Sequence, residues 1–240
     1  MSRVAVVTGG TRGIGEAICM ALKNAGYRVA ATYAGNEAAA KAFSETSKIP
    51  TFKFDAANFD ACQQGVKDIE ASLGPVEVLI NNAGITRDTT MHKMSYEQWQ
   101  AVIQTNLTSC FNMSRAVIDG MREMNFGRIV NIGSINGRAG QYGQVNYAAA
   151  KSGIHGFTKA LAMEGAVKGI TVNAVAPGYV LTDMVKAVPE KVLEKIVARI
   201  PVGRLGDPQD IARAVMFLVA DEAGFITGST IDVNGGQQMY

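Results

Sequence analysis

Seven short apolar runs, at residues 4–7, 28–33, 51–54, 76–80, 128–132, 170–175 and 230–233, punctuate this chain. They are rich in β-branched residues, are bounded by Gly, Pro or Asn, and show little polar alternation. Strands of that kind are covered on both faces, as in a parallel sheet packed between helices. The intervening stretches have helical spacing instead. Ile14, Ala17, Ile18, Ala21, Leu22 and Ala25 recur at turn intervals until Gly26 stops them, and Trp99, Val102, Ile103, Leu107, Phe111 and Met113 lie on a longer helix. Another helix is expected from about 146 to 168, and Pro208 opens one over 209–219. With 48% hydrophobic and 18% charged residues, the 240-residue chain has enough apolar material for one large core. No repeat, linker or break in composition divides it. Residues 1–240 therefore read as a single doubly wound α/β domain, a parallel seven-stranded sheet with helices on both faces. The rhythm breaks after Pro177-Gly178, where residues about 182–201 are expected to form a helical insertion acting as a substrate lid.

Several function classes are disfavoured at once. Net charge is +2, from 23 Lys+Arg against 21 Asp+Glu, which speaks against a nucleic-acid partner. Cys19, Cys62 and Cys110 are odd in number and far apart, and only His92 and His155 accompany them, so neither a disulfide framework nor a metal site is indicated. A reducing compartment fits best. The N-terminus runs into a Gly-rich turn with no signal-peptide core, and no 18-residue apolar stretch occurs, so the expectation is a cytoplasmic protein without a membrane partner.

Four places carry chemistry. The first is Thr8-Gly9-Gly10-Thr11-Arg12-Gly13-Ile14-Gly15, at the first strand-to-helix junction. Small residues there let a backbone approach a diphosphate, and a helix N-terminus points N–H groups at it. The G-x-x-x-G-x-G spacing differs from the usual dinucleotide fingerprint, and a tight turn that binds nothing is the plainer alternative. The second strand ends Ala31-Thr32-Tyr33-Ala34-Gly35-Asn36, without the acid that holds a ribose 2′-hydroxyl. Arg12 supplies a cation matching a 2′-phosphate, so NADPH/NADP+ is expected over NAD(H) unless Arg12 is only a solvated surface residue.

The second place is Asn81-Asn82-Ala83-Gly84, after the fourth strand, where α/β sheets bind ligands and where Asn side chains also satisfy neighbouring backbone. The third is Ser134 with Tyr147 and Lys151. Tyr and Lys at i and i+4 share a helix face, and an ammonium near a phenol lowers its pKa from about 10, which suits a general acid. The fourth is Asn106, inside a helical pattern that disfavours Asn, hence either a kink or a polar group with a task.

Taken in order, these residues, with Asp55, Pro177-Gly178 and Thr182, resemble the short-chain dehydrogenase/reductase family over essentially the full length of the chain. The resemblance implies a Rossmann domain and assigns roles. Tyr147 would protonate the substrate carbonyl oxygen, Lys151 would lower its pKa and hold the nicotinamide ribose, Ser134 would orient the carbonyl, and Asn106 would anchor a relay water. Cofactor contacts would come from Gly9, Thr11, Arg12, Gly13, Ile14, Gly15, Tyr33, Asp55, Asn82, Ala83, Gly84, Tyr147, Lys151, Pro177, Gly178, Val180 and Thr182. The family's usual assembly is a homotetramer.

Within the family, Asn82 to Asp88 and Gly203-Arg204-Leu205-Gly206 are similar to both acetoacetyl-CoA reductases and 3-oxoacyl-carrier-protein reductases. The runs 117–121, 141–147, 155–158 and 177–187 lean toward the CoA group. That reading implies a small-molecule CoA-thioester substrate, an (R)-3-hydroxyacyl product serving polyhydroxybutyrate synthesis, and substrate contacts from Asp88, Ser134, Gln141, Tyr142, Gln144, Gly178 and Tyr179. Tyr142 and Tyr179 otherwise only shape a loop. Lys186, Lys191, Lys195 and Arg199 are able to meet CoA phosphates, or form an ordinary solvated face. The reading from another class is a non-catalytic dinucleotide-binding sensor.

Overall fold

The computed structural model describes residues 2–182, 185 and 190–239. Strands β1 (Val4–Val7), β2 (Arg28–Tyr33), β3 (Thr51–Lys53), β4 (Val76–Asn81), β5 (Gly127–Ile132), β6 (Ile170–Pro177) and β7 (Thr230–Val233) form one parallel sheet in the order β3-β2-β1-β4-β5-β6-β7. β6 runs past its expected end at residue 175 because Ala176 and Pro177 pair with Asp232 and Val233 of β7. Around the sheet lie α1 (Gly13–Asn24), α2 (Glu37–Ser47), α3 (Phe59–Leu73), α4 (Tyr96–Ile103), α5 (Ser109–Met124), α6 (Asn136–Ala139), α7 (Val145–Gly165), α8 (Glu190–Val197) and α9 (Pro208–Val219). Of the residues expected to form a lid, Thr182, Val185 and 190–201 are described, and α8 lies among them.

The central strands β1, β4, β5 and β6 are buried on both sides, as their composition requires, while β3 and β7 at the sheet edges are only partly covered. Ala5 and Val7 of β1 face a layer holding Ile18 and Leu22 of α1 and Ile211, Val215 and Leu218 of α9. Val4 and Val6 face the opposite layer, with Val66 and Ile69 of α3 and Met113, Val117 and Met121 of α5. Each such side chain contributes about 1.5–3 kcal/mol on burial. One polar line crosses this core. Asn81 donates to Asn131 Oδ1 at 2.8 Å, and Asn131 donates to Thr158 Oγ1 of α7 at 2.9 Å. Asn131 and Thr158 are wholly buried. Hydrogen bonds in a low-dielectric interior are directional and costly to break, so this line fixes α7 in rotation and register against β5.

Because all strands run the same way, their C-terminal ends meet at one edge. The sheet order reverses between β1 and β4, which opens a crevice there.

Candidate active site

The crevice is built first by the turn after β1. Asn82 donates through Nδ2 to the carbonyls of Thr8 and Gly9 at 2.9 and 3.1 Å, and Thr8 Oγ1 accepts the N–H groups of Asn82 and Ala83. The end of β4 is thereby stapled to the glycine-rich turn. A Cβ on Gly15 would lie 2.2 Å from the Gly9 carbonyl oxygen, so only glycine lets α1 start this close to the turn. Arg12 stands at the α1 N-cap in extended conformation and makes no side-chain cap bond. Gly13, Ile14 and Gly15 of the first turn line the crevice, and the Arg12 side chain is exposed beside it.

The second half comes from β5, α6 and α7. Ser134 follows β5, and its Oγ accepts the Asn136 N–H at 3.1 Å, which leaves the hydroxyl proton to point elsewhere. Tyr147 and Lys151 project from the first turns of α7. Lys151 is buried, donates to the Ile132 carbonyl at 2.8 Å, and holds Nζ 5.6 Å from the Tyr147 ring centroid. Asn146, also buried, donates to the carbonyls of Arg87 and Gln98 and accepts the Tyr147 N–H, tying the start of α7 to the loop after β4.

Asn106 lies in a π-helical turn, Gln104–Thr108, between α4 and α5. Its Nδ2 donates to Val102 O, four residues back, and to Ile85 O, both at 2.9 Å. The side chain thus takes a carbonyl that a regular helix gives to backbone, and the helix widens. Asn106 Oδ1 is buried with no hydrogen-bond partner among the described residues, and a Cβ on Gly84 would come within 2.6 Å of it. The kink that an Asn within a helix implies is present at this residue.

These groups line one cleft of about 520 Å³, together with Asn82–Gly84, Gln144 and Pro177–Val180. Residues 9–238 match the family model described as enoyl-(acyl carrier protein) reductase. The chain is 65% identical over 238 residues to an acetoacetyl-CoA reductase of Rhizobium meliloti (strain 1021), covering 99% of each chain. It is 60% identical to an acetoacetyl-CoA reductase of Paracoccus denitrificans over the whole of both chains. A 3-oxoacyl-(acyl-carrier-protein) reductase of Vibrio cholerae is 46% identical, with 99% of this chain and 98% of that one covered. The chain belongs to the short-chain dehydrogenase/reductase family.

Family membership implies a nicotinamide dinucleotide, and the residues fit one. The cleft has a glycine-rich wall backed by a helix start for a diphosphate. It has an orphaned acceptor, Asn106 Oδ1, and a buried cation, Lys151, at its deep end.

The structure gathers most residues that the sequence singled out, but not all. Gly9, Arg12, Gly13, Ile14, Gly15, Asn82, Ala83, Gly84, Asn106, Ser134, Gln144, Tyr147, Lys151, Pro177, Gly178, Tyr179, Val180 and Thr182 line the cleft. Thr11, Tyr33, Asp55, Asp88, Gln141 and Tyr142 lie outside its wall. Asp88 stands at the mouth, where it accepts from Gln144 Nε2 at 2.7 Å while Gln144 Oε1 accepts from Asn136 Nδ2 at 2.9 Å. Tyr142 is 87% exposed and shapes no part of the wall. Lys191, Lys195 and Arg199 are solvent-exposed, and Lys186 lies outside the described residues. Ile85, Thr86, Asn136 and Asn146 were missed. For Asn146 the available signal was a second amide beside the tyrosine.

One electrostatic expectation is corrected. The Tyr147 phenol is held above its ordinary value, first by burial; the Ser134 hydroxyl pulls it down, and Asp88 adds to the rise. The Lys151 ammonium points at the Ile132 carbonyl, and burial pushes the lysine itself down to about 8.

Proposed function

We propose that this chain reduces acetoacetyl-CoA with NADPH to (R)-3-hydroxybutyryl-CoA, a precursor of polyhydroxybutyrate. The observation that carries the reading is the convergence of Ser134, Tyr147, Lys151 and Asn106 on the cleft that the glycine-rich turn opens. The names of the 65% and 60% identical relatives support the CoA thioester over the carrier-protein one.

When bound, the dinucleotide supplies the hydride for the 3-keto carbon. Gly9, Thr11, Arg12, Gly13, Ile14 and Gly15 would hold its diphosphate and 2′-phosphate, with Arg12 as the cation. Tyr33, Asp55 and Asn82–Gly84 would take the adenosine end. Pro177, Gly178, Val180, Thr182 and Lys151 would take the nicotinamide end. The keto oxygen gathers charge during the reaction. Ser134, its hydroxyl proton freed by the Asn136 N–H, and Tyr147 stabilise that charge by donating to the oxygen, and Tyr147 then gives up its proton. Lys151 and the unpartnered Asn106 Oδ1 return a proton to Tyr147 through water. Asp88, Gln141, Tyr142, Gln144, Gly178 and Tyr179 would meet the thioester, and the protein would act as a homotetramer.

The deciding experiment measures loss of reduced-nicotinamide absorbance with acetoacetyl-CoA and with the carrier-protein-linked 3-oxoacyl thioester. Turnover of the CoA substrate with comparable or better kcat/KM is expected. A preference of about a hundredfold for the carrier-protein form would transfer the reading to fatty-acid synthesis. Dinucleotide binding without turnover would make the chain a sensor.

A further inference from the structure

Three side chains at the mouth of the cleft are joined in a line of hydrogen bonds. Gln144 Nε2 donates to Asp88 Oδ2 at 2.7 Å, and Gln144 Oε1 accepts from Asn136 Nδ2 at 2.9 Å. Asn136 and Gln144 line the cleft with Ser134 and Tyr147, while Asp88 stands outside its wall. The line is not needed to brace the fold. The loop that carries Asp88 is already tied to the start of α7, by the Thr89 N–H on the Gly143 carbonyl at 2.8 Å and by Asn146 Nδ2 on the Arg87 carbonyl at 3.1 Å. Nor does it cap α7, since Gln144 occupies the N-cap position and makes no side-chain cap bond.

Of the three, only Asp88 has a hydrogen-bonding sense fixed by its chemistry. An ionised carboxylate accepts and cannot donate, whereas a primary amide can present either end. The carboxylate therefore draws Gln144 Nε2 toward itself. Oε1 is left for Asn136, and it draws Asn136 Nδ2 in turn. Turned the other way, Gln144 would set Oε1 against a carboxylate oxygen, two acceptors at hydrogen-bonding distance. Nε2 carries two N–H groups and the carboxylate takes one. The other is a donor at the cleft mouth, on the residue three before Tyr147.

We infer that Asp88 is a positioning residue: by fixing the amide of Gln144 it presents an N–H, and not a carbonyl oxygen, to the thioester carbonyl of the substrate. This rests on the 3-oxoacyl-thioester reading above and gives Asp88 a task beyond any contact of its own with substrate. A 3-oxoacyl thioester has two carbonyl oxygens. Ser134 and Tyr147 would take the keto oxygen, where charge develops. The thioester oxygen does not react, and a donor there holds the keto carbon in place for the hydride. One hydrogen bond of this kind contributes about tenfold in affinity.

The test turns the amide round without breaking the line. In the double variant Asp88→Asn/Asn136→Asp the acceptor-only group moves from one end to the other at unchanged net charge. Gln144 then keeps both bonds, with Nε2 toward residue 136 and Oε1 toward residue 88. The readout is a ratio of dissociation constants from the intact protein saturated with NADP+, where neither ketone turns over. It sets S-(3-oxobutyl)-CoA, a thioether that lacks the thioester oxygen, over acetoacetyl-CoA, so that any change felt by the shared CoA portion cancels. Wild type is expected to favour acetoacetyl-CoA by about tenfold, and by no less than about threefold. The ratio is expected to fall by about threefold or more in the double variant, with a circular dichroism spectrum and urea midpoint close to wild type. If the double variant does not fold, Asp88→Ala is read for the same fall. A wild-type ratio or a fall smaller than these overturns the positioning role of Asp88 while leaving the reductase reading intact. A wild-type protein that neither binds acetoacetyl-CoA nor oxidises NADPH with it overturns the reductase reading and this inference with it.

Discussion

At the residue scale, the chemistry rests on hydroxyl and amide groups whose positions are over-determined. Tyr147 is set by the Asn146 side chain and the α7 backbone, and Ser134 by the Asn136 N–H. Replacing Tyr147 with Phe keeps the ring and removes the proton donor. The expected result is a fall in kcat of about 10²–10⁴-fold with NADPH binding retained, measured by steady-state kinetics and by fluorescence titration of the coenzyme. Arg12 is exposed and uncommitted to a cap, as a residue meant for a ligand would be. A charge-assisted bond to a 2′-phosphate contributes about 1.5–3 kcal/mol, so Arg12→Ala should raise KM for NADPH by about ten- to a hundredfold and leave that for NADH almost unchanged. Equal changes in both would remove the argument for the 2′-phosphate. The types and spacing of these residues were legible without a structure. The direction of the Tyr147 pKa was not, because it depends on burial and on where the Lys151 ammonium points.

At the element scale, α7 carries Tyr147 and Lys151 and is held against β5 by the Asn81–Asn131–Thr158 line. Thr158→Val preserves shape but strips the acceptor from a wholly buried amide. It should lower unfolding stability by about 1–3 kcal/mol in urea titrations. His155, on the same helix, faces Thr230 Oγ1 of β7 at 3.2 Å, and its buried Nε2 has no partner among the described residues. Burial first, then Arg138, Lys159 and Lys151, push its pKa down to about 4. An unfolded imidazole protonates near ~6.5, so between there and about 4 the unfolded chain binds the extra proton. Stability therefore falls as pH drops through that window and is unaffected by this group above it. Discounted for partial exposure, the loss is about 1–2 kcal/mol, and His155→Gln should flatten it in denaturant midpoints compared near neutrality and near pH ~4.5. The helix positions were readable from spacing. The π turn at 104–108 was not, since it arises when one side chain outcompetes the backbone for the Val102 carbonyl.

At the scale of the whole molecule, the fold leaves large apolar side chains in solvent. Phe111 of α5 stacks on Phe59 with ring centroids 6.2 Å apart while both remain exposed. Met163 of α7, Phe217 of α9 and Phe225 are exposed as well. Apolar groups gathered on helix faces mark surfaces that association covers. A tetramer is expected by light scattering after size-exclusion chromatography, and charge placed at Phe111 or Phe225 should reduce the mass. A wild-type monomer at micromolar concentration would sink the homotetramer.

The order of short β-branched runs and helical stretches was enough to imply a parallel sheet between two helical layers, because apolar periodicity alone decides which faces must be buried. The glycine-rich turn, Ser134, Tyr147 and Lys151 stood out by residue type and spacing, and all line one cleft. Only the tertiary structure decided which of them meet. It placed Asn106 against Gly84, set Asn82 across the turn and left Tyr142 in solvent. Those outcomes depend on distances between residues far apart in the chain, and a linear pattern carries no information about how the packed strand ends converge.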